Sequence, residues 1–126
     1  MMQLDSKNYV KKAENVMLEL KKKGKGRISL TASKIRNLHS MISDLYNEVL
    51  HDKSKELSDE TQGKIQYLKM RFAYEAGSEP SVKDFVKEAN VFKHIDQIGN
   101  DKEKFLLFCR YMEALVAYHK FYGERY

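Results

Sequence analysis

The sequence predicts an all-α fold, a single compact bundle of about five helices spanning residues 1–126. Three observations carry that reading. Apolar residues recur three and four apart through most of the chain, which gathers them on one side of a helix. No stretch alternates strictly between apolar and polar, as a half-buried strand would. The stretch Phe105–Tyr122 holds fourteen hydrophobic residues in eighteen, without a Pro or a Gly.

Asp5 or Ser6 is placed to cap a first helix over about Lys7–Lys23. Tyr9, Ala13, Val16, Met17 and Leu20 form its apolar stripe. Lys21, Lys22 and Lys23 fall in the last turn, where cations suit the helix dipole. Gly24–Arg27 (GKGR) then breaks the helix. A plain linker and a phosphate-facing loop both fit two glycines among cations.

Thr31 is the cap of a second helix, from about Ala32 to His51. Ile35, Leu38, Ile42, Leu45 and Val49 form a heptad-like seam facing a neighbouring helix. Residues 51–56 are polar and charged and read as a loop. Ser58 caps a third helix whose first turn carries Asp59 and Glu60. Thr61, Ile65, Leu68, Phe72 and Ala76 face the core, and Gly77 is the expected end. A second stripe, Lys64, Tyr67, Arg71 and Tyr74, interleaves cations with aromatics. It fits either a nucleic-acid backbone or aromatic packing at the edge of the core.

Pro80 suits the first position of a fourth helix, which runs to Gly99. Val82, Phe85, Val86, Ala89, Phe92 and Ile95 give it a broad apolar face. Asn100 or Asp101 caps the last helix. That helix is apolar nearly all round, so it must be covered from several directions. Arg110, Glu113, His119 and Lys120 interrupt it too often for a membrane span.

The length fits one domain with a core of its own. A lone cysteine, Cys109, forms no intramolecular disulfide, and its place on an apolar stripe points to an inert thiol. The N-terminus lacks the apolar run of a signal peptide, and the chain reads as soluble and cytoplasmic. No metal-ligand spacing joins His39, His51, His94 and His119, and no nucleotide-binding or nucleophile-elbow motif is present. Neither a cofactor nor catalysis is expected.

Charge is informative through its placement. The net charge is +5, yet residues 1–36 hold ten basic residues against three acids. A basic first third favours a polyanionic partner, nucleic acid first, over a merely solubilising surface.

Four blocks carry a resemblance to a known family. They are TASKIR (Thr31–Arg36), YLKMRFAYEAG (Tyr67–Gly77), VKDF (Val82–Phe85) and FCRYMEALVAYHKFYG (Phe108–Gly123). Over about residues 31–123 the chain resembles the small subunit of type III-A CRISPR interference complexes, the small subunit of the Csm complex. Residues 1–30, the basic first helix and loop, are not diagnostic. Relatives often carry a basic residue where this chain has Ser78, and a glycine where it has Glu124. Ser78 therefore offers no cationic phosphate contact.

The resemblance implies a non-catalytic helical subunit acting in antiviral defence. Several copies stack beside the backbone subunits and line the channel where guide RNA pairs with target RNA. Other subunits carry out the chemistry. Guide pairing reads the sequence, so the lining protein need only meet shape and charge. The expected RNA-binding residues are Lys34, Arg36, Lys64, Lys69 and Arg71, with Arg110 and Lys120 in the apolar helix. The alternative is a structural module that contacts other proteins and no RNA.

Overall fold

The computed structural model describes residues 3–123. Within them the chain forms six helices: α1 (Tyr9–Lys23), α2 (Ala32–His51), α3 (Asp59–Ser78), α4 (Pro80–Glu88), α5 (Val91–Asp96) and α6 (Lys102–Tyr122). No strand is present among the described residues; the only extended pairing there is a bridge between Glu56 and Asp101. The residue Glu124, noted above, lies outside the described residues.

Three of the expected caps form. The side chains of Thr31, Ser58 and Asp101 accept from the backbone N–H groups of Lys34, Thr61 and Lys104. Each such cap contributes about 1 kcal/mol by satisfying a donor the helix leaves open. Asp5 acts one turn early: its carboxylate accepts from the N–H groups of Lys7 and Asn8 at 2.7 and 2.8 Å, and α1 begins at Tyr9.

The expected fourth helix is two helices. Asn90 takes a left-handed conformation (φ 54°, ψ 41°) between α4 and α5. Asn tolerates that region better than most residues. At the break, the Ala89 carbonyl accepts a buried hydrogen bond from the Tyr111 hydroxyl at 2.9 Å. The apolar periodicity hid the break because Phe85, Val86, Ile95 and the neighbouring Ile98 are all buried on both sides of it.

The end of α3 also differs. Gly77 is helical, and the helix stops only at Glu79 (φ −137°, ψ 122°). Glu79 precedes Pro80, and the proline ring drives the preceding residue out of the helical region.

Helix α6 packs against α1 on one side and α2 on another; α3 closes the bundle against α2, α4 and α5. Met17, Phe72, Phe85, Phe105, Met112 and Leu115 are fully buried at the junctions. Tyr122 donates to Glu14 at 2.6 Å, tying the end of α6 to α1. The buried His119 ring bonds the Leu30 carbonyl at 2.6 Å, so the end of α6 meets the entry to α2. The α2–α3 loop is held to the α5–α6 loop by Leu57 N–H to Asn100 O (2.9 Å) and by Lys102, which donates to Asp52 O and Ser54 O.

Candidate nucleic-acid interface

The Gly24–Arg27 loop presents no backbone donors outward. The N–H groups of Gly24, Lys25, Gly26 and Arg27 go to Leu20, Lys22, Lys21 and Gly24 carbonyls at 2.8 to 3.2 Å. A Cβ on Gly24 would lie 1.8 Å from the Arg27 carbonyl oxygen, and Gly26 has φ +97°. The glycines serve a tight turn. Any contact this loop makes to a phosphate comes from its side chains.

The expected cations fall on two sides of α2. Lys34 and Arg36 are two residues apart, about 200° around the helix. Lys34 turns toward α3 and lies 3.4 Å from Glu79. Arg36 is exposed, with no ion pair among the described residues.

On α3 every expected cation has an acid beside it. Lys64 lies 3.0 Å from Glu48 and 3.8 Å from Glu60. The Glu48 hydrogen bond raises the Lys64 pKa above its ordinary value. Lys69 lies 2.6 Å from Asp96, with Phe92 beneath its ammonium. Arg71 lies 3.7 Å from Glu75, and its Nε is buried without a hydrogen-bond partner. The aromatics between them do not pack at the core edge. Tyr67 is 56% exposed, Met70 57% and Tyr74 68%, a bare apolar stripe along the outer side of α3.

The seam between α2 and α6 is built differently. The two helices run antiparallel: the start of α2 meets the end of α6 through His119, and the middle of α2 meets the first half of α6 around a cleft of about 80 Å³. Ile42 and Cys109 are its buried floor. His39, Ser43 and Tyr46 form one wall, and Arg110 and Glu113 stand on the other. Arg36 lies two turns before Ser43 on the same stripe of α2, and Lys120 two turns after Glu113 on the same stripe of α6. Arg36, Arg110 and Lys120 therefore follow one seam. All three are exposed, and none has an ion-pair partner among the described residues.

Burial pushes the Cys109 thiol up to about 12, which keeps it protonated and unreactive. No group of His, Cys, Asp and Glu able to hold a metal occurs among the described residues. No helix there is long and apolar enough to cross a membrane. Sequence reasoning passed over His39, Tyr46 and Glu113. Glu113 sits one turn from Arg110 on α6, but His39 and Tyr46 join them only through packing of segments some seventy residues apart, and no spacing in the chain signals that.

The chain matches the family described as Csm2 Type III-A over residues 3–125. Three curated relatives carry the description "CRISPR system Cms protein Csm2". The protein from Streptococcus thermophilus is 46% identical over 123 residues, covering 97% of each chain. The protein from Enterococcus italicus is 44% identical over 95 residues, 74% of this chain and 68% of its own. The protein from Mycobacterium tuberculosis is 40% identical over 114 residues, 90% of each. The match takes in the first thirty residues as well as the four blocks read from the sequence. The chain belongs to the Csm2 family of type III-A CRISPR systems, as a non-catalytic small subunit that associates with other subunits of a Csm complex.

Proposed function

We propose that this subunit lines the channel in which guide RNA pairs with target RNA, and does so with the α2–α6 seam. The observation that carries the reading is the set of exposed cations there, Arg36, Arg110 and Lys120, which have no ion-pair partner among the described residues. A cation already beside a carboxylate must give up that partner to hold a phosphate. One without a partner meets a phosphate at no such cost. Three cations on rigid helices, with no array of side chains matched to a run of bases, suit sequence-independent contacts to phosphate and sugar. Lys34, Lys64, Lys69 and Arg71 act as a second rank, screened by Glu79, Glu48, Asp96 and Glu75. Copies stack along the complex in a head-to-tail contact, which remains open-ended until another component stops it. The setting is cytoplasmic antiviral defence.

The test is a map of the assembled complex with guide and target RNA. Arg36 and Lys120 are expected within reach of phosphates, and Arg110 within reach of a phosphate or a base edge. Finding Arg36 and Lys120 far from any ribose or phosphate overturns the reading.

A second reading, a protein-contact module without RNA contact, is favoured by one observation, the bare Tyr67–Met70–Tyr74 stripe. The same map separates the two. Protein seated on α3 with no RNA on the seam selects the second.

A further inference from the structure

The cleft in the α2–α6 seam has a chemistry that backbone contacts leave unused. Its floor, Ile42 and the protonated Cys109, is apolar and makes no polar demand on an occupant. Tyr46 stands at its side, half-buried, with no hydrogen bond to its hydroxyl among the described residues. The other wall carries a guanidinium and a carboxylate one helical turn apart, Arg110 and Glu113. Neither makes an ion pair with the other or with any described residue. The cleft, about 80 Å³ and open to solvent, has room for the edge of a flat heterocycle whose sugar stays outside. A flat ring with hydrogen-bonding edges, sliding over an apolar floor beside an aromatic, describes an unstacked nucleobase.

The pairing of donor and acceptor narrows the choice. A carboxylate accepts from ring N–H and amino groups; an arginine donates to ring and carbonyl acceptors. Guanine offers two donors side by side on one edge and two acceptors on the next. Uracil offers a single donor between two carbonyls. This inference rests on the RNA reading above and deepens it. We propose that the α2–α6 cleft receives one unstacked base of the bound RNA and prefers guanine, with Glu113 accepting from its N–H and amino groups and Arg110 donating to its O6 and N7.

The test uses the full chain and three labelled RNA duplexes of one sequence: unbulged, with a single bulged guanosine, or with a single bulged uridine. Binding is read by fluorescence anisotropy at low salt. The guanosine bulge is expected to bind at least about fivefold more tightly than the uridine bulge, the low end of what one well-matched base contact discriminates. Glu113→Ala is expected to bring that ratio to about one; the residue is exposed and Ala is the best helix former, so the fold is retained. Arg36→Ala is expected to weaken all three duplexes alike. Equal binding of the two bulges, with the unbulged duplex still bound, overturns the base slot and leaves the cationic wall standing. A guanosine preference that survives in Glu113→Ala overturns the assignment of the carboxylate. Failure to bind any of the three removes the RNA reading of the seam and the slot with it.

Discussion

Two faces of this small bundle carry the same kinds of residue and differ in what those residues are free to do. The outer face of α3 presents Lys64, Lys69 and Arg71, each beside an acid, around the exposed Tyr67, Met70 and Tyr74. The α2–α6 seam presents Arg36, Arg110 and Lys120 without such partners among the described residues. In composition the α3 stripe looks more like a nucleic-acid surface, because cations and aromatics interleave along it. In the fold its charges are locally neutralised and its aromatics are bare. That combination suits protein contact better than a polyanion. On the proposed reading, a cation without a carboxylate beside it meets a phosphate at lower cost than a paired one.

The sharpest division lies within α3 itself. Phe72→Ala, on its fully buried side, is expected to cost about 3–5 kcal/mol in chemical denaturation. Tyr74→Ala, two residues on and 68% exposed, is expected to stay within about 0.5 kcal/mol. A large loss at Tyr74 would mean that the outer stripe supports the fold and is not spare surface for a partner.

Next in size is the RNA contrast. Replacing Arg36, Arg110 and Lys120 together with Ala is expected to flatten the log-salt slope of RNA binding by roughly 0.9 unit per lost phosphate contact on duplex. The corresponding triple at Lys64, Lys69 and Arg71 is expected to flatten it less. Equal slopes would erase the distinction between the faces.

A smaller effect reverses the comparison. Glu48→Gln removes the nearer of the two acids beside Lys64, and Asp96→Asn removes the acid beside Lys69. Exposed ion pairs are worth about 0–1 kcal/mol, so each change is expected to raise RNA affinity by at most about fivefold. Unchanged affinity would show that RNA does not reach α3.

The smallest expected effect concerns acid. Burial, and then the nearby Lys12 charge, hold His94 below its ordinary 6.5, while a Gln97 hydrogen bond opposes them. It stacks edge-on against Tyr111 at 5.2 Å, at the joint of α5 and α6. The unfolded chain takes up that proton first. Stability from this group is therefore complete above about pH 6.5 and declines as pH falls below it. His94→Phe is expected to flatten that part of the pH–stability curve in thermal melts. A curve unaltered between pH 7 and 5 would remove His94 as the cause.

Much of the core was legible. The seam of α2 and the inner stripe of α3 are buried residue for residue as the spacing indicates, because a helix covered on one side leaves a period in the chain. The caps Thr31, Ser58 and Asp101 were legible for a local reason: each satisfies a donor three residues away. The α4–α5 break was not. One left-handed Asn90 leaves no mark on apolar spacing, and Tyr111, which bonds the carbonyl of the preceding Ala89, lies 22 residues beyond that alanine. Lys34 and Arg36 show the same limit at the interface. Two residues apart in sequence, they part around α2, one toward Glu79 and one toward the seam.

The sequence by itself determined most of the helices, their inward faces and, through its four blocks, the family, because these depend on spacing over a few turns and on residue identity. Tertiary structure decided the long-range pairs, Lys34 with Glu79, Lys64 with Glu48 and Lys69 with Asp96, and which stretch of α2 faces Arg110 and Glu113 across the cleft. Coulomb and packing terms act over a few ångströms in space, and distance along the chain does not report them.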